Sequence, residues 1–435
     1  MKKLIVLLLI SSAAFAQQHT NKKHNFEDFN LIADIGEQER YYNEMIRQSL
    51  PGKLKPEVDN ECRAQLAIGW LTKGDIGRYE HYMRTNPKFS VIKLVDLTYT
   101  LEYMVDEDKH IKVVEQASRD LLEKLEKGVL SDGVGRTQVL LEVNALANAR
   151  LGNVDVAMKN IARSGEQKDN TREMKYFKDS KSKYLTRYCL ILSAAGENKR
   201  ALDTLTKAIR NADSNPKMVA VYKDIYKKVH GSTKGVDELI KSLQEKAYQD
   251  YYKEVEKTYI AKETKTITGE FPDPSGSGEM LTLFNADKPV KDIALTNLAE
   301  QEVKFADHAG KILVLDFWST GCTPCVAAFS GFERVVADYK TEPFQLYVVN
   351  LFEALPTVKV FVARRGITLD VLRDEPNTAF NIMGTPTKII YDPMGNIRFY
   401  AMGYAGSTDR EYYKLKAMVE IVKARNAVAK NNQNR

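Results

Sequence analysis

The sequence of 435 residues predicts a multidomain protein, with an N-terminal all-α array of helical hairpins and a C-terminal α/β fold. Two observations carry this prediction. From about residue 26 to residue 261 the chain is rich in Lys, Glu, Leu, Ala and Tyr and shows almost no strand-like alternation, which predicts successive amphipathic helices. From about residue 288 onwards, short apolar runs alternate with helical patterns, which is typical of an α/β fold.

Glycines followed by small residues mark the helical hairpins. Gly152 is followed by Ala157, and Gly196 is followed by Ala201 at the same offset. Each glycine is expected to close the turn of a hairpin, because glycine accepts a left-handed backbone at a helix end. These segments resemble tetratricopeptide-type hairpins, but the distance of 44 residues from 152 to 196 exceeds the roughly 34 of the standard repeat. We therefore predict a helical-hairpin array and not a regular solenoid.

Residues 1–16 have the composition of a signal peptide. Two lysines precede a short apolar stretch, and small residues follow as far as Ala16. Cleavage before Gln17 would export the protein, most simply to the periplasm of a Gram-negative bacterium. A membrane anchor is the alternative, but the apolar run is shorter than the roughly 20 residues that cross a bilayer.

The remaining chain is predicted to form two domains joined by a linker. Residues 271–278 contain prolines and glycines that cannot continue a helix. We place an α-helical, tetratricopeptide-like domain at 17–262, a linker with possible short strands at 263–287, and the α/β domain at 288–435. The net charge of +6 is small for this length and both signs are interspersed, so we expect neither a nucleic-acid partner nor stable membrane insertion.

A buried strand followed by two cysteines defines the candidate site. The run from Ile312 to Trp318 is apolar except for Asp316, and an amphipathic pattern begins at Cys325. The first turn of a helix presents unpaired N–H groups and the positive end of the macrodipole, so the pKa of Cys322 is expected below the free value of about 8.5. Cys325 lies on the same helix face and can resolve a mixed disulfide formed at Cys322.

Asp316 is the second candidate for chemistry. An ionised carboxyl group inside an apolar strand is unfavourable, so the pKa of Asp316 should rise and allow proton exchange near neutral pH. Capping of a nearby backbone group is the structural alternative for this side chain.

The stretch resembles the thioredoxin-like superfamily and, within it, the secreted TlpA-like thiol-disulfide oxidoreductases. The resemblance is carried by two motifs, which are Asp316-Phe317-Trp318 followed by Cys322-Thr323-Pro324-Cys325, and Gly384-Thr385-Pro386-Thr387. It covers about the last third of the chain. The chain departs from the family at Gly321, where a tryptophan commonly stands, and at Ser330, which replaces a helix-kinking proline.

The resemblance implies roles for further residues. It implies a thioredoxin-like fold, a cis bond before Pro386 facing the disulfide, and a Thr385 backbone that pairs with an extended substrate segment. It also implies that Asp316 accepts the proton of the resolving thiol. We further predict that three residues near the cysteines contact the substrate, namely Trp318, Thr323 and Pro324.

No metal or separate cofactor is expected beside the redox-active disulfide Cys322–Cys325. A zinc site would need two more ligands at characteristic spacing, and the histidines are scattered. Cys62 and Cys189 lie in helical patterns and are predicted to be buried free thiols, with a structural bridge as the alternative.

We therefore predict an exported thiol-disulfide oxidoreductase that reduces or exchanges disulfides of partner proteins, with the helical domain choosing the partner and a separate redox protein regenerating the pair. No positive charge or histidine lies between the cysteines, which favours a reductant with a potential on the order of thioredoxin's. The alternative is a helical scaffold protein of the cell envelope whose thioredoxin domain is catalytically weak. The sequence does not indicate the oligomeric state.

Overall fold

The computed structural model of the protein describes residues 24–49, 54–85, 87–133, 135–166, 178–272, 280–286 and 288–433. The chain divides into two compact units, residues 1–89 and residues 90–435. The predicted signal peptide at 1–16 lies outside the described residues, and its cleavage stays a prediction, as do the predicted domain limits at 262 and 288. Within the described ranges, no helix combines the length and the apolar character that crossing a bilayer requires.

The described part of the first unit is built from helices. They are α1 (Phe26–Asn30), α2 (Ile35–Gln48), α3 (Pro56–Lys73) and α4 (Ile76–Met83). Gly74 ends α3 with a left-handed backbone, φ 80°, so that α4 turns back against α3. Trp70 and Leu71 of α3 are buried in this unit.

The second unit begins with paired helices that form the predicted hairpins. Those described are α5 (Val91–Asp106), α6 (Ile111–Glu126), α7 (Arg136–Arg150), α8 (Val154–Gly165), α9 (Ser180–Ala194), α10 (Asn198–Arg210), α11 (Pro216–His230) and α12 (Val236–Glu256). Gly152 and Gly196 take φ values of 85° and 84° between the paired helices, as predicted. Ala157 and Ala201 have no exposed surface, which lets the paired helices approach closely. The predicted helical-hairpin array is confirmed.

An antiparallel pair of strands follows the helices, β1 (Ile267–Pro272) and β2 (Met280–Ala286). The last domain contains a sheet in which seven strands are described, in the order β4-β3-β7-β6-β5-β8-β9. The strands are β3 (Ala294–Asn297), β4 (Glu302–Lys304), β5 (Ile312–Trp318), β6 (Phe344–Leu351), β7 (Val371–Asp374), β8 (Thr387–Tyr391) and β9 (Ile397–Met402). Its helices are α13 (Thr323–Asp338), α14 (Leu355–Arg365) and α15 (Thr408–Gln433). The predicted thioredoxin-like α/β fold is confirmed.

The central strand β5 separates two apolar cores. It pairs with β6 in parallel and with β8 in antiparallel orientation. Side chains alternate along a strand, so Val314 and Trp318 pack towards α13 and α15, whereas Leu315 and Phe317 pack in a second core on the other face. The whole of β5 is buried, as its apolar sequence predicts.

The sequence predicts a brief helix from Thr378 to Ile382, and this prediction is wrong. Side chains cap the backbone there instead. Asp374 accepts hydrogen bonds from the N–H groups of Thr378 and Ala379, and Asn377 accepts one from Ile382. These local bonds replace the helical ones, as Asp and Asn side chains commonly do in turns.

Candidate functional site

The two cysteines meet at the start of α13 as the sequence predicts. Cys322 is the residue before the first helical turn and Cys325 lies within that turn. A disulfide joins them, with 5.3 Å between their Cα atoms. Cys325 is fully buried and Cys322 is partly exposed. Of the two cysteines, only Cys322 therefore has surface that a partner molecule could meet.

Local sequence explains why the helix begins there. Pro324 occupies the first turn, where a missing N–H breaks no helical hydrogen bond. The Cys322 carbonyl accepts hydrogen bonds from the N–H groups of Cys325 at 3.1 Å and Val326 at 3.3 Å. The positive end of the helix thus lies against Cys322, which stabilises a thiolate there after reduction.

Glu353 fixes the loop between β5 and α13, and the sequence analysis missed it. Its carboxylate accepts hydrogen bonds from the Thr320 N–H at 2.8 Å and from the Thr320 hydroxyl. The Asn350 side chain donates to the same carboxylate at 2.7 Å. A negative charge is therefore held two residues before Cys322. No sequence signal marks Glu353, because the contact depends on β5 and β6 ending side by side.

Asp316 is buried in the middle of β5. Its position between Leu315 and Phe317 turns its side chain towards α13 and α15, the face on which Cys325 lies. Burial raises the pKa of Asp316 to about 7, opposed by the attraction of the Lys388 ammonium. The carboxyl group can therefore gain or lose a proton near neutral pH, in agreement with the predicted direction of the shift.

Lys388 and Glu411 accompany Asp316, and the sequence analysis missed both. Lys388 lies directly opposite Asp316 on β8, with its Nζ 3.6 Å from Asp316 Oδ1 and 3.5 Å from Glu411 Oε2. All three side chains are almost fully buried. A lysine within the apolar run that follows Thr387 was the available signal, since a buried lysine requires a buried acid.

Thr385 and Pro386 precede β8, and the bond between them is cis. Thr387, the first residue of β8, pairs with Phe317 of β5, which places the proline loop at the end of β5 that leads to the cysteines. Thr385 is partly exposed and Pro386 is buried.

The predicted substrate-binding residues near the cysteines divide into two groups. Thr323 and Pro324 are partly exposed beside Cys322. The prediction that Trp318 contacts the substrate needs correction. Trp318 has no exposed surface and packs edge-on against Phe329, with 5.3 Å between ring centroids. Its side chain packs in the same core as Cys325 and has no surface open to a partner in this structure.

The remaining candidates concern metals and the other cysteines. Among the residues that the structure describes, no group of three His, Cys, Asp or Glu side chains is arranged to hold a metal ion. Cys62 and Cys189 are buried and form no disulfide, as predicted. Burial raises the pKa of Cys189 to about 12.

Part of this chain is similar to known proteins. Residues 286–400 match the AhpC/TSA family. The thiol-disulfide oxidoreductase ResA of Geobacillus kaustophilus is 28% identical over 123 residues, which cover 28% of this chain and 71% of the relative. ResA of Halalkalibacterium halodurans is 28% identical over 119 residues, which cover 27% and 68%. A solved structure, a putative thiol:disulfide interchange protein DsbE from Chlorobium tepidum, is 27% identical, covers 29% of this chain and 92% of its own, and has a TM-score of 0.26.

The matched segment runs from β2 to β9 and includes the cysteine pair, Asp316 and the cis-proline loop. The C-terminal part of this chain is therefore a thioredoxin-like domain of the AhpC/TSA family, homologous to the ResA-type thiol-disulfide oxidoreductases.

Proposed function

We propose that this protein is an exported thiol-disulfide oxidoreductase that reduces or exchanges disulfides of partner proteins. The observation that carries the proposal is the disulfide at the start of α13, with a partly exposed Cys322, a fully buried Cys325, and a buried acid on the face of β5 that packs towards α13. Exposure separates the two roles, because only Cys322 can meet a partner and only Cys325 is sheltered for the second step.

The reaction consists of two successive thiol-disulfide exchanges. The Cys322 thiolate attacks a partner disulfide, a bond forms between Cys322 and one partner sulfur, and the other partner sulfur leaves as a thiolate. The Cys325 thiol then gives its proton to the Asp316 carboxylate and attacks Cys322 Sγ. The Cys322–Cys325 bond forms, the mixed disulfide breaks, and the partner sulfur that was bonded to Cys322 leaves as a thiolate. The partner has gained two electrons and the protein has formed its disulfide, which a separate redox protein reduces again.

Two features favour a reductant over an oxidant. The Glu353 carboxylate is bonded to Thr320, two residues before Cys322, and a nearby negative charge disfavours the thiolate. No cationic side chain lies between the cysteines to oppose it. A less stable thiolate makes the disulfide the more stable form and the dithiol the stronger electron donor.

The residues that bind the partner surround Cys322. The Thr385 backbone would pair with an extended partner segment, with Thr323 and Pro324 as its neighbours, since all three are partly exposed near Cys322. The helical region, with its tetratricopeptide-like hairpins, would select the partner, because arrays of helical hairpins present extended surfaces. Export to a periplasm rests on the sequence of residues 1–16.

Insulin reduction with dithiothreitol as electron donor tests the activity. The wild-type protein should accelerate the reduction, Cys322→Ser should not, and Cys189→Ser should behave as the wild type because Cys189 is a buried free thiol far along the chain from the pair. Equal and negligible rates in wild type and Cys322→Ser would refute the enzymatic proposal and favour the helical scaffold.

Trapping in cells identifies the partners. Cys325→Ser removes the resolving thiol, so mixed disulfides at Cys322 should accumulate and be released by reducing agent. The double variant Cys322→Ser/Cys325→Ser is the matched control and should trap none. The same trapped proteins in both variants would show that capture does not depend on Cys322.

A further inference from the structure

A buried cation shared by two acids lies behind the cysteine pair. Lys388 Nζ is 3.6 Å from Asp316 Oδ1, which is beyond ordinary hydrogen-bond range, and 3.5 Å from Glu411 Oε2. It also lies 4.3 Å from the centroid of the Phe332 ring on α13. The ammonium group thus lies at nearly the same distance from both carboxylates.

Few other charged groups face Asp316. β8 contributes Lys388, and α15 contributes Glu411 and the partly buried Lys414. α13 contributes the cysteine pair and apolar side chains, and the residue opposite Asp316 on β6 is Val348. Lys388 attracts the ionised form of Asp316, whereas Glu411 disfavours it.

Glu411 is fixed by close packing on α13. A Cβ atom on Gly331 would lie 2.6 Å from Glu411 Cβ and 2.9 Å from the Tyr412 backbone nitrogen, so only glycine lets the two helices meet here. Glu411 also accepts a hydrogen bond from the Ala405 N–H. Its carboxylate is therefore held beside Lys388 and cannot reach solvent.

The helical region of the same unit forms hydrogen bonds to the first turn of α15, which contains Glu411. Both carboxylate oxygens of Asp179 accept hydrogen bonds from Thr408, one from its N–H at 2.6 Å and one from its hydroxyl at 2.8 Å. The Ser407 hydroxyl donates to the Ala212 carbonyl at 2.6 Å, and Asp409 accepts from the Ser214 hydroxyl. These contacts are buried, so they fix the start of α15 against the helices.

We propose that Lys388 and Glu411 are positioning residues for the acid–base step, and that the helical region holds Glu411 in place through the first turn of α15. This inference rests on the proposed function, in which Asp316 takes the proton of Cys325. Lys388 pairs with Glu411 when Asp316 is protonated and is shared by both acids when Asp316 is ionised. A cation therefore lies close to Asp316 in both protonation states, which lowers the cost of placing its charge in the core.

The test follows the reaction of the reduced full-length protein with 5,5′-dithiobis(2-nitrobenzoate) by stopped flow. The first release of thionitrobenzoate reports attack by Cys322, and the second reports attack by Cys325. The rate of the second release should rise with pH through a midpoint that Asp316→Asn abolishes. This assay needs only the cysteine pair, so it can be read even if the protein does not reduce insulin. A failure to reduce insulin would refute the proposed function but not this inference.

The two residues should shift that midpoint in opposite directions. Glu411→Gln removes a like charge and frees Lys388, so the midpoint should fall by about one pH unit or more. Lys388→Met removes the cation and should raise it by a similar amount. Lys416 lies on α15, as Glu411 does, but it pairs with Asp338. Lys416→Met is therefore the control and should leave the midpoint unchanged. Shifts in one common direction, or none, would overturn the inference, since a general loss of stability cannot produce opposite shifts.

If Lys388→Met does not fold, Glu411→Gln alone tests the positioning residues, because glutamine keeps an oxygen that can accept from the Ala405 N–H.

Substitutions of Asp179 test the role of the helical region. Asp179→Gly deletes the Thr408 hydrogen bonds while tolerating the left-handed backbone, φ 54°, and should lower the midpoint as Glu411→Gln does. Asp179→Asn retains an acceptor oxygen and should restore most of the wild-type midpoint. An unchanged midpoint in Asp179→Gly would overturn the role of the helical region.

Discussion

Replacing Asp316 by asparagine should stabilise the folded protein at alkaline pH. Burial raises the pKa of Asp316 from the ordinary 3.8 to about 7. Because one pH unit of pKa difference corresponds to about 1.4 kcal/mol, ionising this group in the folded protein costs about 4 kcal/mol. Below about pH 4 the carboxyl group is protonated in folded and unfolded chains alike, so it has no effect there. As the pH rises from about 4 to 7 the unfolded chain ionises first, and the wild type loses stability that Asp316→Asn keeps.

The effect can be measured close to the group. The chain has two tryptophans, and Trp318 lies in the same strand as Asp316. In a Trp70→Phe background, Trp318 fluorescence follows urea unfolding of the region around the site. The free energy of unfolding of wild type minus that of Asp316→Asn should become more negative by roughly 4 kcal/mol between pH 4 and pH 8.5.

Asp307→Asn is the matched control, because it removes an exposed acid of the same domain. If the difference for Asp316→Asn changed with pH no more than the difference for Asp307→Asn, Asp316 would not be a buried acid with a raised pKa, and its place in the proton transfer would be refuted.

Three further predictions concern packing, charge and reactivity. Gly331→Ala should lower the free energy of unfolding by about 1–3 kcal/mol, because its Cβ would lie too close to α15, whereas Gly321→Ala, with open space around it, should be neutral in the same denaturant titration. Glu353→Gln removes the negative charge near the disulfide and should shift the equilibrium with glutathione towards the dithiol by up to about tenfold, or about 30 mV, as measured by the fraction of reduced protein; an unchanged fraction would contradict the reductant argument. Burial raises the pKa of Cys189 to about 12, so iodoacetamide at pH 8 should label Cys322 of the reduced native protein within minutes and Cys189 only after denaturation, which peptide mass spectrometry distinguishes.

Local sequence predicted the elements that carry the chemistry. A strand that is apolar except for Asp316, a proline in the first turn and two cysteines three residues apart are short-range signals, and each acts over a few residues. The positive φ values of Gly152 and Gly196 were equally predictable, because a helix end next to a glycine takes a left-handed backbone.

Short-range signals failed to predict two kinds of feature. One is a segment where side chains accept hydrogen bonds from backbone N–H groups, and the other is the burial of a side chain by elements far away in the sequence. A brief helix is predicted over 378–382, yet the side chains of Asp374 and Asn377 accept hydrogen bonds from N–H groups of this segment. Trp318 belongs to a motif at the site, but its side chain faces inward because alternation along β5 turns it towards α13 and α14.

The sequence by itself determined that this chain carries a cysteine pair at a strand-to-helix junction, with an acid in the preceding strand. Only the tertiary structure decided which charges surround that acid, because Asp316, Lys388 and Glu411 come from two strands and a helix that are far apart in the chain and meet through strand pairing and helix packing. The physical reason is that proton affinity in a core depends on desolvation and on the nearest charges, and both are set by the packing of distant elements.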